Sequence, residues 1–265
     1  MEHAPTRAAD AYPFDMGSYS RPVRTGSAEA QRWFDRGLAW CYGFNHDEAI
    51  RCFERAARAD PDCAMAHWGV AYAALGEVAA AEAEQRAFRA AVEGVPESRT
   101  VFNNTCRAIL GVAEAMLDGE LTSRKGAHDE AFAKLRRAAE LSDDLTYDEP
   151  WGWMQPVRHA LGALLLEQGR VEEALEVYRD DLGLSGRLPR AVQHPDNVWA
   201  LTGLVECLDR LGRSHEAEPF RQRLALARAR ADVDIAASCF CRLDTSGAHA
   251  AHDHGGHGGH AGHCH

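Results

Sequence analysis

With 265 residues, 46% of them hydrophobic and 26% charged, the chain has the composition of an ordinary soluble globular protein of one large or two small domains. A net charge of −11 argues against the basic face that a nucleic-acid binder needs, and no run approaches the roughly 20 apolar residues that span a bilayer. Residues 1–17 hold no apolar signal core, so the chain is expected to be cytoplasmic, where thiols stay reduced. Its eight cysteines then read as small buried hydrophobes or metal ligands and not as a disulfide framework.

Residues 1–26 read as an N-terminal extension. Trp33, Gly37, Trp40 and Phe44 then recur at i, i+4, i+7 and i+11, the stripe of one helix, with Ser27 placed to cap its start. Asn45 breaks the pattern and, with Glu48 three residues on, resembles a capping box for a second helix striped by Ala49, Ile50, Phe53 and Ala56. Pro61 ends that helix, because it has no N–H to donate and pushes Asp60 toward extended backbone. A third helix opens near Cys63, and an Ala/Glu-rich helix follows from Gly76 to Val92.

Small residues then mark a repeat. Ala49, Ala83, Ala131, Ala174 and Ala217 each sit early in a predicted second helix, at intervals of 34, 48, 43 and 43 residues. Only the first equals the tetratricopeptide period of 34. Counted from Gln155, Leu161-Gly162, Gly169, Ala174 and Tyr178 fall at positions 7, 8, 15, 20 and 24 of that consensus, and Gly212 and Ala217 repeat its glycine-to-alanine spacing. The fold expected is all-α: a tetratricopeptide-like α-solenoid of about four to five helix pairs in a right-handed superhelix, over residues 27–238. In such a stack Trp33, Trp40, Phe53 and Tyr178 are core.

The first helix of each pair lines the concave face. The consensus places Phe34, Tyr42, Trp68, Tyr72 and His159 there, an aromatic groove without the Lys/Asn/Arg set that clamps a peptide carboxylate. A protein or peptide partner, an apolar peptide or helix, is the expected occupant. The alternative filling is a further segment of this chain, either Tyr12 to Phe14 or the C-terminal helix. Trp151 and Trp153 either staple a helix start or rim a pocket.

Residues 239–265 form a segment of different chemistry. Cys239 and Cys241 stand one residue apart, as two thiols gripping one soft metal ion would. Beyond them His249, His252, His254, His257, His260, His263, Cys264 and His265 are set among Gly, Ala and Asp, a composition that cannot bury a core and is expected to be disordered. Cu, Zn or Ni are the metals such imidazoles favour.

Four stretches go further than a generic repeat: WFDRGLAWCYGFNHDEAIRCFERAARADPDCAMAHWGVAYA from Trp33 to Ala73, PWGWMQPVRHALGALLLEQGR from Pro150 to Arg170, HPDNVWALTGLVECLDRLGR from His194 to Arg213 and ADVDIAASCFCR from Ala231 to Arg242. They resemble a family of bacterial tetratricopeptide-repeat proteins to which no activity is firmly attached. That family's members are typically much longer, so the resemblance implies a shortened member. The first functional reading is a non-catalytic interaction scaffold with a metal-binding tail. A metal storage or delivery protein is the second. A metal-dependent enzyme with the aromatic groove as substrate pocket is the third, and the chain carries no nucleophile elbow, phosphate loop, HExxH or dinucleotide fingerprint to assign its catalytic residues.

Overall fold

The computed structural model describes residues 12–42, 45–75, 77–231, 235–239 and 241–242. Among them five helix pairs follow one another: α1 (Ala28–Tyr42) with α2 (His46–Ala59), α3 (Ala64–Ala73) with α4 (Val78–Glu93), α5 (Cys106–Arg124) with α6 (His128–Asp143), α7 (Val157–Glu167) with α8 (Val171–Asp181), and α9 (Val198–Arg210) with α10 (Ser214–Arg228). A two-residue hairpin, β1 (Thr100–Val101) and β2 (Asn104–Thr105), is inserted between the second and third pairs. Each pair packs on the next, so the fold is an all-α tetratricopeptide-like solenoid. No helix among the described residues is long and apolar enough to cross a membrane.

Local chemistry sets the helix limits. Ser27 Oγ accepts from the Ala30 N–H at 3.1 Å and Asn45 Oδ1 from the Glu48 N–H at 3.1 Å. The capping box is half formed: the Glu48 carboxylate turns away to accept from Tyr12 Oη at 3.0 Å and Arg51 at 2.7 Å. Asp60 closes α2 in extended backbone, as Pro61 requires. Thr105 and Asn197 cap α5 and α9 by the same N–H-to-side-chain bond.

The repeat has one register correction. The fourth residue of every second helix is an alanine with no exposed surface: Ala49, Ala81, Ala131, Ala174 and Ala217. Ala83, expected in this role, is exposed. The true intervals are 32, 50, 43 and 43 residues, so none equals 34. The Ala-rich run at the start of α4 offers several equivalent small residues, and only the phase of the packed helix chooses among them.

Four residues on from these alanines, a large side chain wedges between successive first helices. Phe53 lies between Gly37 of α1 and Gly69 of α3, where a Cβ at either glycine would stand 2.6 Å from its ring. Tyr178 lies in the same way between Gly162 of α7 and Gly203 of α9, and Leu135 against Gly119 of α5. At the second pair the wedge is Gln85, which reaches across to Asp118 of α5 at 3.0 Å. In α10 the equivalent position is Arg221, a partly exposed side chain paired with Asp209 of α9.

Three non-repeat segments pack onto this frame. Tyr12 accepts from Trp40 Nε1 at 2.5 Å and sits edge-on to Trp33, with the Arg36 guanidinium over both rings. Further along, Arg21 donates to the backbone carbonyls of Trp151 and Gly152 at 2.9 and 2.5 Å, tying residues 19–24 to the segment ahead of α7. That segment interlocks with the hairpin, since Asn104 donates to Thr146 O and Asp148 Oδ2, both at 2.7 Å. Residues 235–239 and 241–242 fold back on the fourth and fifth pairs: Ser238 Oγ meets Tyr178 Oη at 2.5 Å and Arg242 reaches Glu206 at 2.6 Å.

Candidate functional site

The inner face holds a cavity of about 140 Å³ to which the first helices of all five pairs contribute: Tyr42, Tyr72, Met116, His159 with Ala160, and Trp199. Met154, Gln155 and Pro156 close it from the segment before α7, and Ser238 and Cys239 from the C-terminal segment. Four residues expected at a site from sequence, Tyr42, Tyr72, His159 and Cys239, are thus brought together. Burial pushes the Tyr42 and Tyr72 hydroxyls well above the usual phenol range.

Two other expected groove residues are placed elsewhere. Phe34 has no exposed surface and packs on Phe53 with ring centres 5.6 Å apart. Trp68 is equally buried, stacked on Tyr72 at 4.8 Å and edge-on to Trp153 at 5.4 Å. Both present no surface to a ligand. Phe34 is turned into its own helix pair against Phe53, and Trp68 is covered by Trp153 from the chain's own segment ahead of α7.

Behind His159 lies a charged network that the sequence did not single out. Asp181, at the end of α8, has no exposed surface. Its Oδ2 accepts from His159 Nε2 at 3.0 Å and Asn197 Nδ2 at 2.9 Å, and its Oδ1 from His194 Nδ1 at 2.8 Å. Burial alone would raise this carboxyl, but His159 and then His194 outweigh it and hold the group well below the usual carboxylate range. The ionised carboxylate can only accept, so the ring nitrogen facing it in each imidazole, His159 Nε2 and His194 Nδ1, is the one that carries the donated hydrogen. The only sequence signal was the His194-Pro-Asp-Asn197 run inside a matched stretch. His67, by contrast, is satisfied by Glu84 and by Pro61 O, each at 2.9 Å.

His194 and Asp181 also face a second, polar pocket of about 60 Å³ that includes Asp143, Tyr147, Asp148, Trp151 and Arg158. Arg158 grips Asp143 with two bonds of 2.7 and 2.6 Å. Trp151 is 47% exposed yet fixed, its ring against His194 at 4.5 Å and its Nε1 donating to Ala191 O at 3.3 Å. Tyr147 is 52% exposed beside it. Of the two roles left open by the sequence, Trp151 takes the pocket rim, while Trp153 is buried edge-on to Trp68.

Cys239 and Cys241, expected as a pair of thiols, are joined to each other as a disulfide with Cα atoms 5.4 Å apart. Cys41, Cys52, Cys63, Cys106 and Cys207 are free and buried. Among the described residues no group of three or more His, Cys, Asp or Glu side chains is arranged to hold a metal ion. The tail ligands His249, His252, His254, His257, His260, His263, Cys264 and His265 lie outside the described residues.

Two tetratricopeptide-repeat family profiles match the chain, over residues 45–99 and 157–192. A thermophilic tetratricopeptide-repeat protein of Thermus thermophilus is similar in structure, with a TM-score of 0.53 at 17% identity over 76% of this chain and 92% of that one. PilF of Pseudomonas aeruginosa matches with a TM-score of 0.47 at 18% identity, over 75% of this chain and 76% of that one. No curated protein sequence matches the chain.

Proposed function

For this chain of tetratricopeptide repeats, we propose the role of a non-catalytic interaction scaffold that docks a protein or peptide partner. The observation that carries the reading is Trp151: a large aromatic ring held rigid by His194 and Ala191 O while half its surface faces solvent. Anchors of this kind dominate protein interfaces, because they bury much area and lose little side-chain freedom on binding. Tyr147, and Phe102 at the tip of the interlocked hairpin, extend the exposed aromatic surface. The partner therefore docks on the aromatic loops beside the polar pocket, since the inner groove is largely covered by the chain itself.

A photo-crosslinking amino acid at position 147 tests this, with one at the exposed Leu226 on α10 as control. A discrete partner is expected from position 147 and not from 226, and Trp151→Ala should lower its yield at least about tenfold with folding intact. Identical products from both positions, or an unaffected yield, would sink the reading.

The tail adds metal capture in the same proposal, in a cytoplasmic setting. Seven histidines and Cys264 within residues 249–265 supply borderline and soft donors for Cu, Zn or Ni. Deleting residues 246–265 is expected to remove that capacity. In the full chain the binding should weaken as pH falls through about 6.5, where free imidazole takes a proton. Metal titration of the two chains at pH 7.5 and 5.5 checks both, and equal capacity with and without the tail would refute it.

A further inference from the structure

The inner-face cavity collects soft donors from separate elements. Met116 arrives on α5, Met154 on the segment before α7, and His159 on α7. The chain has five methionines, and two of them meet in this one cavity. Thioethers and imidazole are neutral ligands; they match a soft monovalent ion and suit a hard divalent ion poorly.

The imidazole of His159 lines the cavity and is hydrogen-bonded on one nitrogen only. His159 Nε2 donates to the buried Asp181 carboxylate, which leaves the Nδ1 lone pair without another hydrogen-bond partner among the described residues. A carboxylate behind a histidine is the usual second partner of a metal-bound imidazole, fixing its tautomer and raising its basicity. It also places one negative charge behind the site, enough to balance one positive charge in it. Tyr42, Tyr72 and Trp199 complete the walls with aromatic surface, which favours a cation over an empty apolar void.

We propose that Met116, Met154 and His159 form a binding site for a soft monovalent cation, Cu(I), oriented and charge-balanced by Asp181. The site is distinct from the histidine tail and needs neither Cys239 nor Cys241 as a free thiol. No electron transfer is involved, since the ion binds and leaves as Cu(I).

The test uses the full chain labelled with 13C at the methionine methyls and Ag(I) as a redox-inert probe, titrated to saturation. The Met116 and Met154 methyl signals are expected to move together, while Met16, on the N-terminal segment and not among the residues lining this cavity, stays in place. Met154→Leu conserves volume on a partly exposed residue. It should weaken the tightest Cu(I) site at least about tenfold in competition with a Cu(I) chelator. Unmoved Met116 and Met154 signals at saturation, or an unchanged affinity in the Met154→Leu chain, would overturn the proposal and leave metal to the tail. Partner crosslinking at position 147 is a separate readout, so failure here would not be confused with failure of the scaffold.

Discussion

Replacing Tyr178 by alanine is expected to cost about 3–5 kcal/mol of folding stability, the range for deleting a fully buried aromatic ring. Tyr178 has no exposed surface and fills the gap between Gly162 and Gly203, so its removal empties the contact between the fourth and fifth pairs. The loss extends beyond the cavity. Tyr178 Oη is the buried partner of Ser238 Oγ, and without it Ser238 loses its polar anchor on the inner face. Tyr178→Phe separates the two effects, since it keeps the ring and should cost about 1–2 kcal/mol for the stranded hydroxyl. Tyr147→Ala, on an exposed tyrosine, should stay within about 0.5 kcal/mol. Denaturant unfolding of the three variants measures the series, and a loss below about 1 kcal/mol for Tyr178→Ala would contradict the wedge.

Glu120 gives the second large effect, with the opposite sign. It is 1% exposed near the C-terminal end of α5, and neither carboxylate oxygen has a hydrogen-bond partner among the described residues. Burial raises its pKa from the ordinary 4.5 to about 8, only partly opposed by the charge of Arg124. The folded chain therefore keeps this proton up to about pH 8, while the unfolded chain gives it up above 4.5. Folding stability should fall as pH rises through that window and level off above it, by on the order of 4–5 kcal/mol in total. Glu120→Met removes the buried acid at similar volume. It should flatten the profile between pH 5 and 8 and leave the variant more stable than the parent at pH 8.5. Thermal melts of both chains across pH 5–8.5 decide it: parallel profiles would show that the carboxyl does not titrate in this window.

Neither residue stood out as a site in the sequence, for different reasons. Tyr178 was legible as a core residue, because its spacing from Gly162 and Ala174 is set within one helix pair. Glu120 lies in a 19-residue helix with several other polar residues, and which of them faces inward depends on the neighbouring helices. The same limit explains Ala83. A run of small residues fixes that α4 exists, while the choice of Ala81 is made by packing against α3.

The chain's local chemistry determined the helices, their caps and breakers, and the order of pairs, because hydrogen bonding and 3.6-residue periodicity act over a few residues. It also marked Phe53 and Tyr178 as core, and the last segment as rich in metal-ligand types. Tertiary structure alone decided the inner face. His159, Asp181 and His194 are joined across 13 to 22 residues by two separate helices and a loop. The cover over Trp68, the exposed but rigid Trp151, and the meeting of Met116 with Met154 are likewise set by where the non-repeat segments come to rest. That resting place follows from shape and charge complementarity over the whole solenoid, which no short window of sequence contains.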